Sequence, residues 1–495
     1  MTHGFLRKLL LIAATAACTA IAAAQTPPKR ELRGVWMPTV TGEYMGRGEK
    51  EMKAKLTREL DTMARLGINA VFFQVRPEAD AWYESRFEPW SRFITGTQGR
   101  DPGWDPLEFM VDECHKRCIE LHAWINPYRV RTSQATRLDR RHIANRHPGM
   151  FMDYGGQTFF NPALSESREF ICNVVKDIAT RYDIDAIHMD DYFYPYPKAG
   201  EQLPDYYDFK ERGRGFADIG DWRRDNVNKL VKQIRDTIDS AAPWVQLGIS
   251  PFGIYRNEAS DPRGSKTRGL QNYDDLYADI LLWVEQGWLD YVAPQLYWEV
   301  GHPAADYGEL LGWWSDNVPE GCLLYIGQDV ARSVRGENQQ RDKLDGLRAE
   351  GRVDGYCLYP VKEVMANTGG YADVLAADYN ATPALPPVAR RFEGMRPAKP
   401  RKARVIDTSD GKVLFWRTKK VKDCFKQPVK YCVYRFDRKK DINLGSPLAI
   451  VAVTSDTHVR LEEGTGGRRK KQFYVITAID RFNNESARMV KKVKL

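Results

Sequence analysis

Two adjacent aspartates, Asp190 and Asp191, close an apolar run that reads Ile184-Asp-Ala-Ile-His-Met-Asp-Asp-Tyr192. Side chains alternate along a strand, so Ile187 and Met189 take one face while His188 and Asp190 take the other. Neighbouring acids raise each other's pKa, which suits a general acid working near neutral pH. Hydrolysis of a glycosidic bond needs paired carboxyl groups: one protonates the leaving oxygen, and the other attacks or activates water. A second run, Val292-Ala-Pro-Gln-Leu-Tyr-Trp-Glu299, places Gln295, Tyr297 and Glu299 on one face. Glu299 is then a candidate second carboxylate across from Asp190, and Trp298 a candidate platform for a sugar ring.

Further polar residues sit at the ends of other apolar runs. Gln74 and Arg76 share a parity, and Asp80 follows them. His122, Trp124 and Asn126 share another, with Arg129 just beyond. Polar side chains that converge inside a fold are costly unless paired, so several at one end suggest a site. His122, His188, Asp190 and Asp191 include ligand types of a zinc centre. With only eight histidines and no His-x-His pair, no metal or other cofactor is expected. No Gly-rich phosphate loop follows a strand, and there is no Gly-x-Ser-x-Gly elbow, so nucleotide and serine-hydrolase chemistry lack support.

Eight short apolar runs must position these residues: 32–38, 68–75, 120–127, 184–192, 246–252, 289–298, 322–328 and 353–360. Amphipathic helical patterns such as 51–66 and 224–238 separate them. Eight strands alternating with helices predict an α/β fold, a (β/α)8 TIM barrel, with a doubly wound sheet as the alternative. The longest connections, 76–105, 128–165 and 193–221, follow strands two, three and four. They fall on the C-terminal face, where barrel enzymes place their active sites. They carry Trp82, Trp90, Trp104, Tyr154, Tyr194 and Tyr196, of which about half are expected only to pack the loops down.

The ends of the chain differ from its middle. Arg7 and Lys8 precede an apolar stretch from Leu9 to Ala24, read as a signal peptide over 1–24. Thr15-Ala-Ala-Cys18 loosely resembles a lipoprotein box, which makes Cys18 a candidate lipid anchor. Seven cysteines follow, with no metal-type spacing; Cys424 and Cys432 are candidates for a bridge between strands. From residue 388 onward there are 28 Lys and Arg against 11 Asp and Glu, whereas the rest of the chain is mildly acidic. Prolines 383, 386, 387, 397 and 400 mark a basic linker over 381–403 between the barrel domain (25–380) and an all-β unit (404–495). The closing segment of that unit, 474–486, resembles the last strands of fibronectin type III modules.

Several segments together resemble the glycosyl hydrolase-like 10 family. They are Glu31-Leu-Arg-Gly-Val-Trp36, Gln74-Val-Arg76 with Asp80-Ala-Trp-Tyr-Glu-Ser85, Glu88-Pro-Trp-Ser91, and His122-Ala-Trp-Ile-Asn-Pro-Tyr-Arg129. Ile187-His-Met-Asp-Asp-Tyr-Phe-Tyr-Pro195, Ser250-Pro-Phe-Gly253 and Pro294-Gln-Leu-Tyr-Trp298 complete the series. The resemblance implies an exported glycoside hydrolase of the cell envelope, with peptidoglycan glycan strands, stripped of their peptides, as the leading substrate. It places Asp190 and Asp191 at the acidic motif of strand four. It implies a cleft lined by Arg76, Asp80, Asn126, Arg129, Gln295 and Tyr297, to which parity and position add His188, Tyr192 and Trp298. Expected partners are the polysaccharide itself and an anionic envelope polymer held by the basic C-terminal unit, with no nucleic acid. The alternatives are a non-catalytic glycan-binding protein and a metal-dependent polysaccharide deacetylase.

Overall fold

A computed structural model describes residues 27–409, 411–419, 421–461 and 471–494; the expected signal peptide and Cys18 lie outside them. Each of the eight apolar runs contributes a strand: β1 (Leu32–Met37), β2 (Ala70–Arg76), β3 (Glu120–Ile125), β4 (Ala186–Met189), β5 (Gln246–Ile249), β6 (Tyr291–Val292), β7 (Leu323–Asp329) and β8 (Gly355–Tyr359). They pair in parallel in chain order, and β8 returns to β1 at Leu32↔Gly355 to close a TIM-type barrel.

The two faces of each strand bury different partners. Outward residues such as Val71, Phe73, Val75, Ile187 and Met189 join the core under the helices. Helix α1 (Glu49–Arg65) meets that core with Met52, Leu56, Leu60 and Met63, spaced to form one buried stripe. Helix α2 (Pro106–Lys116) begins where the Asp105 side chain accepts from the Leu107 and Glu108 amides, with proline in its first turn. Inward residues, among them Leu32, Trp36, Phe72, Trp124, Tyr291 and Tyr325, fill the barrel.

One glycine makes that filling possible. A Cβ at Gly248 would stand 2.0 Å from the Tyr291 ring, so β5 must carry glycine where the tyrosine crosses. The Tyr291 hydroxyl then meets His122 Nδ1 at 2.8 Å and His188 Nδ1 at 3.1 Å. Both histidines are thereby satisfied deep in the barrel.

Run six departs from a regular strand. Only Tyr291–Val292 is regular, because Pro294 has no N–H to give the ladder. Pairing resumes at Gln295, which bridges Phe252 and Gly327.

The connection after β3 holds a small antiparallel sheet of Arg129–Arg131, Phe151–Tyr154 and Gln157–Phe160. Of the loop aromatics, Trp82 and Tyr194 are fully buried and Tyr154 nearly so. After the barrel come a three-stranded sheet of Arg401–Thr408, Gly411–Arg417 and His458–Arg460, and a four-stranded sheet of Ile450–Thr454, Lys430–Phe436, Lys471–Ile479 and Met489–Lys494.

Outside the barrel, residues of the proline-rich segment pack against the all-β unit: Leu385 is buried with Cys432 and Tyr434, and Phe392 stacks on Phe482 at 4.0 Å. Its apolar residues find partners that composition does not reveal. Cys424 and Cys432 form no bridge, because Cys424 is exposed in a short turn while Cys432 points into a core. Among the described residues, no helix is long and apolar enough to cross a membrane.

Candidate active site

The site is built where β4 ends. Its ladder continues one residue past the strand, with the Ser250 amide donating to the Met189 carbonyl at 2.8 Å. Asp190 and Asp191 therefore leave the sheet at its C-terminal mouth on fixed backbone. Both are nearly fully buried, at 4% and 3% exposure, although they border a cleft of about 200 Å³.

Neighbouring strands hold the Asp190 carboxyl. Trp124 Nε1 donates to its Oδ2 at 3.1 Å, and Asn126 Nδ2 reaches Oδ1 and Oδ2 at 3.1 and 3.2 Å. Asn126 is itself fixed, since its Oδ1 accepts from the Arg129 amide at 2.9 Å. Burial pushes the Asp190 pKa up to about 7, against the opposing charge of Arg129, and Asp191 adds to the rise. The proton is thus shared between solvent and carboxyl near neutral pH. Asp191 accepts from the Tyr196 hydroxyl and from Gln295, two contacts that favour its ionised form, while burial raises its pKa. Gln295 Nε2 also donates to the Ser250 carbonyl at 3.0 Å, which ties the Asp191 side of the cleft to β5.

The remaining walls are aromatic and basic. Trp36, Trp124, Tyr297 and Tyr359 face the opening, with Tyr297 and Tyr359 stacked at 5.9 Å. Arg129 lies over the Tyr192 ring at 5.1 Å and anchors through Nε to the Pro77 carbonyl at 3.0 Å.

The structure brings Asp190, Asp191, Tyr192, Arg129, Gln295 and Tyr297 to this cleft. Asn126 stands behind Asp190 as its donor. His188 lies one layer deeper, where Trp36 Nε1 donates to its Nε2 at 3.2 Å and burial keeps the ring neutral.

Four expected residues lie elsewhere. Arg76 is fully buried in a bidentate pair with Glu88, at 2.6 Å for the shortest contact, and donates to the Pro127 carbonyl at 3.1 Å. A register shift between Gln74 and Arg76 breaks the parity that aimed it at the cleft. Asp80 accepts from Gln98 Nε2 at 3.0 Å within the second connection and does not line the cleft. Trp298 packs edge-on against Phe252 at 5.3 Å. Glu299 lies within the electrostatic reach of Lys343, and Pro294 had already ended the regular strand that its placement assumed.

Trp36, Ser250 and Tyr359 also border the cleft and were not singled out from the sequence as ligand-facing. A signal existed: each stands at the end of a barrel strand or just beyond it, two of them inside motif stretches. A larger open groove of about 1060 Å³ runs past Phe151, Glu169 and Phe170, but no barrel strand end supplies it. Among the described residues, no group of three or more His, Cys, Asp and Glu gathers as metal ligands do.

The chain resembles known proteins at two levels. It is 41% identical over 475 residues to the glycosyl hydrolase YngK of Bacillus subtilis, covering 92% of each chain. It is 39% identical over 319 residues to the glycosyl hydrolase DigH of Escherichia coli, covering 60% of this chain and 72% of that one. Among solved structures, the PgaB glycoside hydrolase domain from Bordetella bronchiseptica overlays with a TM-score of 0.49 at 13% identity, covering 71% of this chain and 99% of that domain. The Glycosyl hydrolase-like 10 family matches residues 31–344, which spans the barrel strands β1 to β7 and every residue of the cleft except Tyr359. The chain belongs to the glycosyl hydrolase-like 10 family.

Proposed function

We propose that this protein hydrolyses glycosidic bonds of an envelope polysaccharide, with peptidoglycan glycan strands, free of their peptides, as the substrate. The observation that carries the reading is the pair of buried carboxyls, Asp190 and Asp191, at the C-terminal end of β4. Asp190 is the general acid: Trp124 and Asn126 fix its carboxyl at the cleft, and burial raises its pKa to about 7, so it carries a proton near neutral pH. Asp191 works as the anion, a form that its contacts with Tyr196 and Gln295 favour against the burial that raises its pKa. The aromatic walls give a sugar ring flat apolar faces, while Arg129 and Gln295 offer donors to its hydroxyls.

The chain is exported in this reading, as the basic start and apolar stretch to Ala24 suggest, with Cys18 an optional lipid anchor. The C-terminal unit is a fibronectin III-like sandwich, supported by its pairing of a three-stranded with a four-stranded sheet. Its excess of Lys and Arg retains the enzyme on an anionic envelope polymer.

Incubation of the mature protein with peptidoglycan, intact and amidase-stripped, tests the substrate. Soluble oligosaccharides from the stripped strands, read by mass spectrometry, are the expected result. Release from neither preparation would overturn the substrate assignment.

A further inference from the structure

The cleft holds its two acids on one wall. Asp190 and Asp191 are successive residues at one strand end, and no other acidic side chain lines the cleft among the described residues. Double displacement by an enzyme carboxylate places acid and nucleophile about 5–5.5 Å apart, flanking the bond, and inversion places acid and base roughly 6.5–9.5 Å apart. The strand across the barrel from β4 is β8, and the facing wall offers Tyr359 and Trp36 instead of a carboxylate. Glu43 and Asp329, two acids that act electrostatically on Tyr359, are engaged elsewhere. Glu43 pairs with Lys362 at 3.2 Å, and Asp329 caps a helix through the Arg332 amide at 2.9 Å.

Two further features describe what fills the space. At about 200 Å³ the cleft is smaller than the roughly 300–1,000 Å³ of typical drug-sized sites, so it suits a single ring with one substituent. The rings of Trp36, Trp124, Tyr297 and Tyr359 offer an apolar seat for a methyl group beside the acids. Gln74 borders the same space and is 1% exposed. Its Oε1 accepts the Thr39 and Val40 amides at 2.9 and 3.0 Å, which fixes the amide's orientation. Its Nε2 has no partner, so one donor is left for a bound sugar.

We infer that the nucleophile is the substrate's own 2-acetamido oxygen, so that the ring held in the cleft is an N-acetylated hexosamine; the inference rests on the hydrolase reading above. The acetamido carbonyl oxygen bonds to the anomeric carbon as the bond from that carbon to the leaving oxygen breaks. Asp190 gives its proton to the leaving oxygen. Asp191 accepts the amide N–H and balances the positive charge of the cyclic oxazolinium intermediate. Water then adds to the anomeric carbon, returns a proton to Asp190, and the ring opens to restore the acetamide. The balance is one bond hydrolysed with retained configuration.

The test uses the full mature protein on peptide-stripped glycan strands whose 2-substituent is acetyl, monofluoroacetyl or trifluoroacetyl, with the thiazoline analogue of N-acetylglucosamine as inhibitor. Fluorine withdraws electrons from the attacking oxygen, so kcat should fall stepwise along the series. The thiazoline mimics the cyclic intermediate and should inhibit at concentrations roughly 100-fold or more below N-acetylglucosamine itself. Cleavage of acetylated strands with a flat fluorine series and no gain for the thiazoline would overturn the inference and leave the hydrolase reading intact. Silence on acetylated strands would instead bring down that reading, and the inference with it.

Discussion

Replacing Trp124 by Phe keeps a ring at the cleft and removes one hydrogen bond, Nε1 to Asp190 Oδ2 at 3.1 Å. A bond to an ionised group contributes about 1.5–3 kcal/mol. Since 1.36 kcal/mol corresponds to one pKa unit, losing it raises the Asp190 pKa by roughly 1–2 units. The direction follows from the donor: Trp124 favours the carboxylate, so its loss favours the protonated acid. Asp190 starts at about 7, and the basic limb of the kcat/KM profile should therefore move from near 7 to roughly 8–9. The assay is product release from stripped glycan strands between pH 5 and 10, wild type beside Trp124→Phe. Below the limb the variant should keep much of its rate, because the acid is still protonated there. A limb that stays put or moves to lower pH would refute the placement of Asp190 as the titrating acid.

Other outcomes follow from the same contacts. Folded Asp190 holds its proton up to about pH 7, against an ordinary value of 3.8, so wild-type stability falls as pH rises between those values. Asp190→Asn escapes that loss and should gain up to roughly 4 kcal/mol above pH 7, and nothing near pH 3, in urea unfolding. Glu88→Ala strands the buried Arg76 and should cost about 3–5 kcal/mol by the same measurement, with Glu88→Gln milder. Gly248→Ala drives a methyl into Tyr291 and should destabilise by about 1–3 kcal/mol or more, with loss of near-ultraviolet circular dichroism.

How far the sequence reached depended on regularity. The barrel was legible because all eight apolar runs carry turn residues at their ends, and each became a strand. Parity then set His188 and Asp190 inward correctly, since β4 is unbroken from Ala186 to Met189 and its ladder runs on to Ser250. The same rule failed where the ladder is irregular. The shift after Gln74 turned Arg76 into a buried ion pair, and Pro294 disconnected Glu299 from the phase of strand six. Loop residues were legible only in part: Tyr196 reached the cleft, whereas Trp82 and Tyr194 pack down. No local pattern says which loop ring will fold back over an aspartate. Nor does composition reveal that Leu385 and Phe392 anchor a proline-rich stretch.

The central claim is that the Asp190–Asp191 centre hydrolyses a glycosidic bond. Its most direct test is digestion of peptide-stripped glycan strands in ¹⁸O-labelled water by wild type and Asp190→Asn, with products read by mass spectrometry. The account predicts one ¹⁸O at each new reducing end with wild type, and binding without turnover in the variant. Products that carry no label, or undiminished turnover in Asp190→Asn, would contradict it.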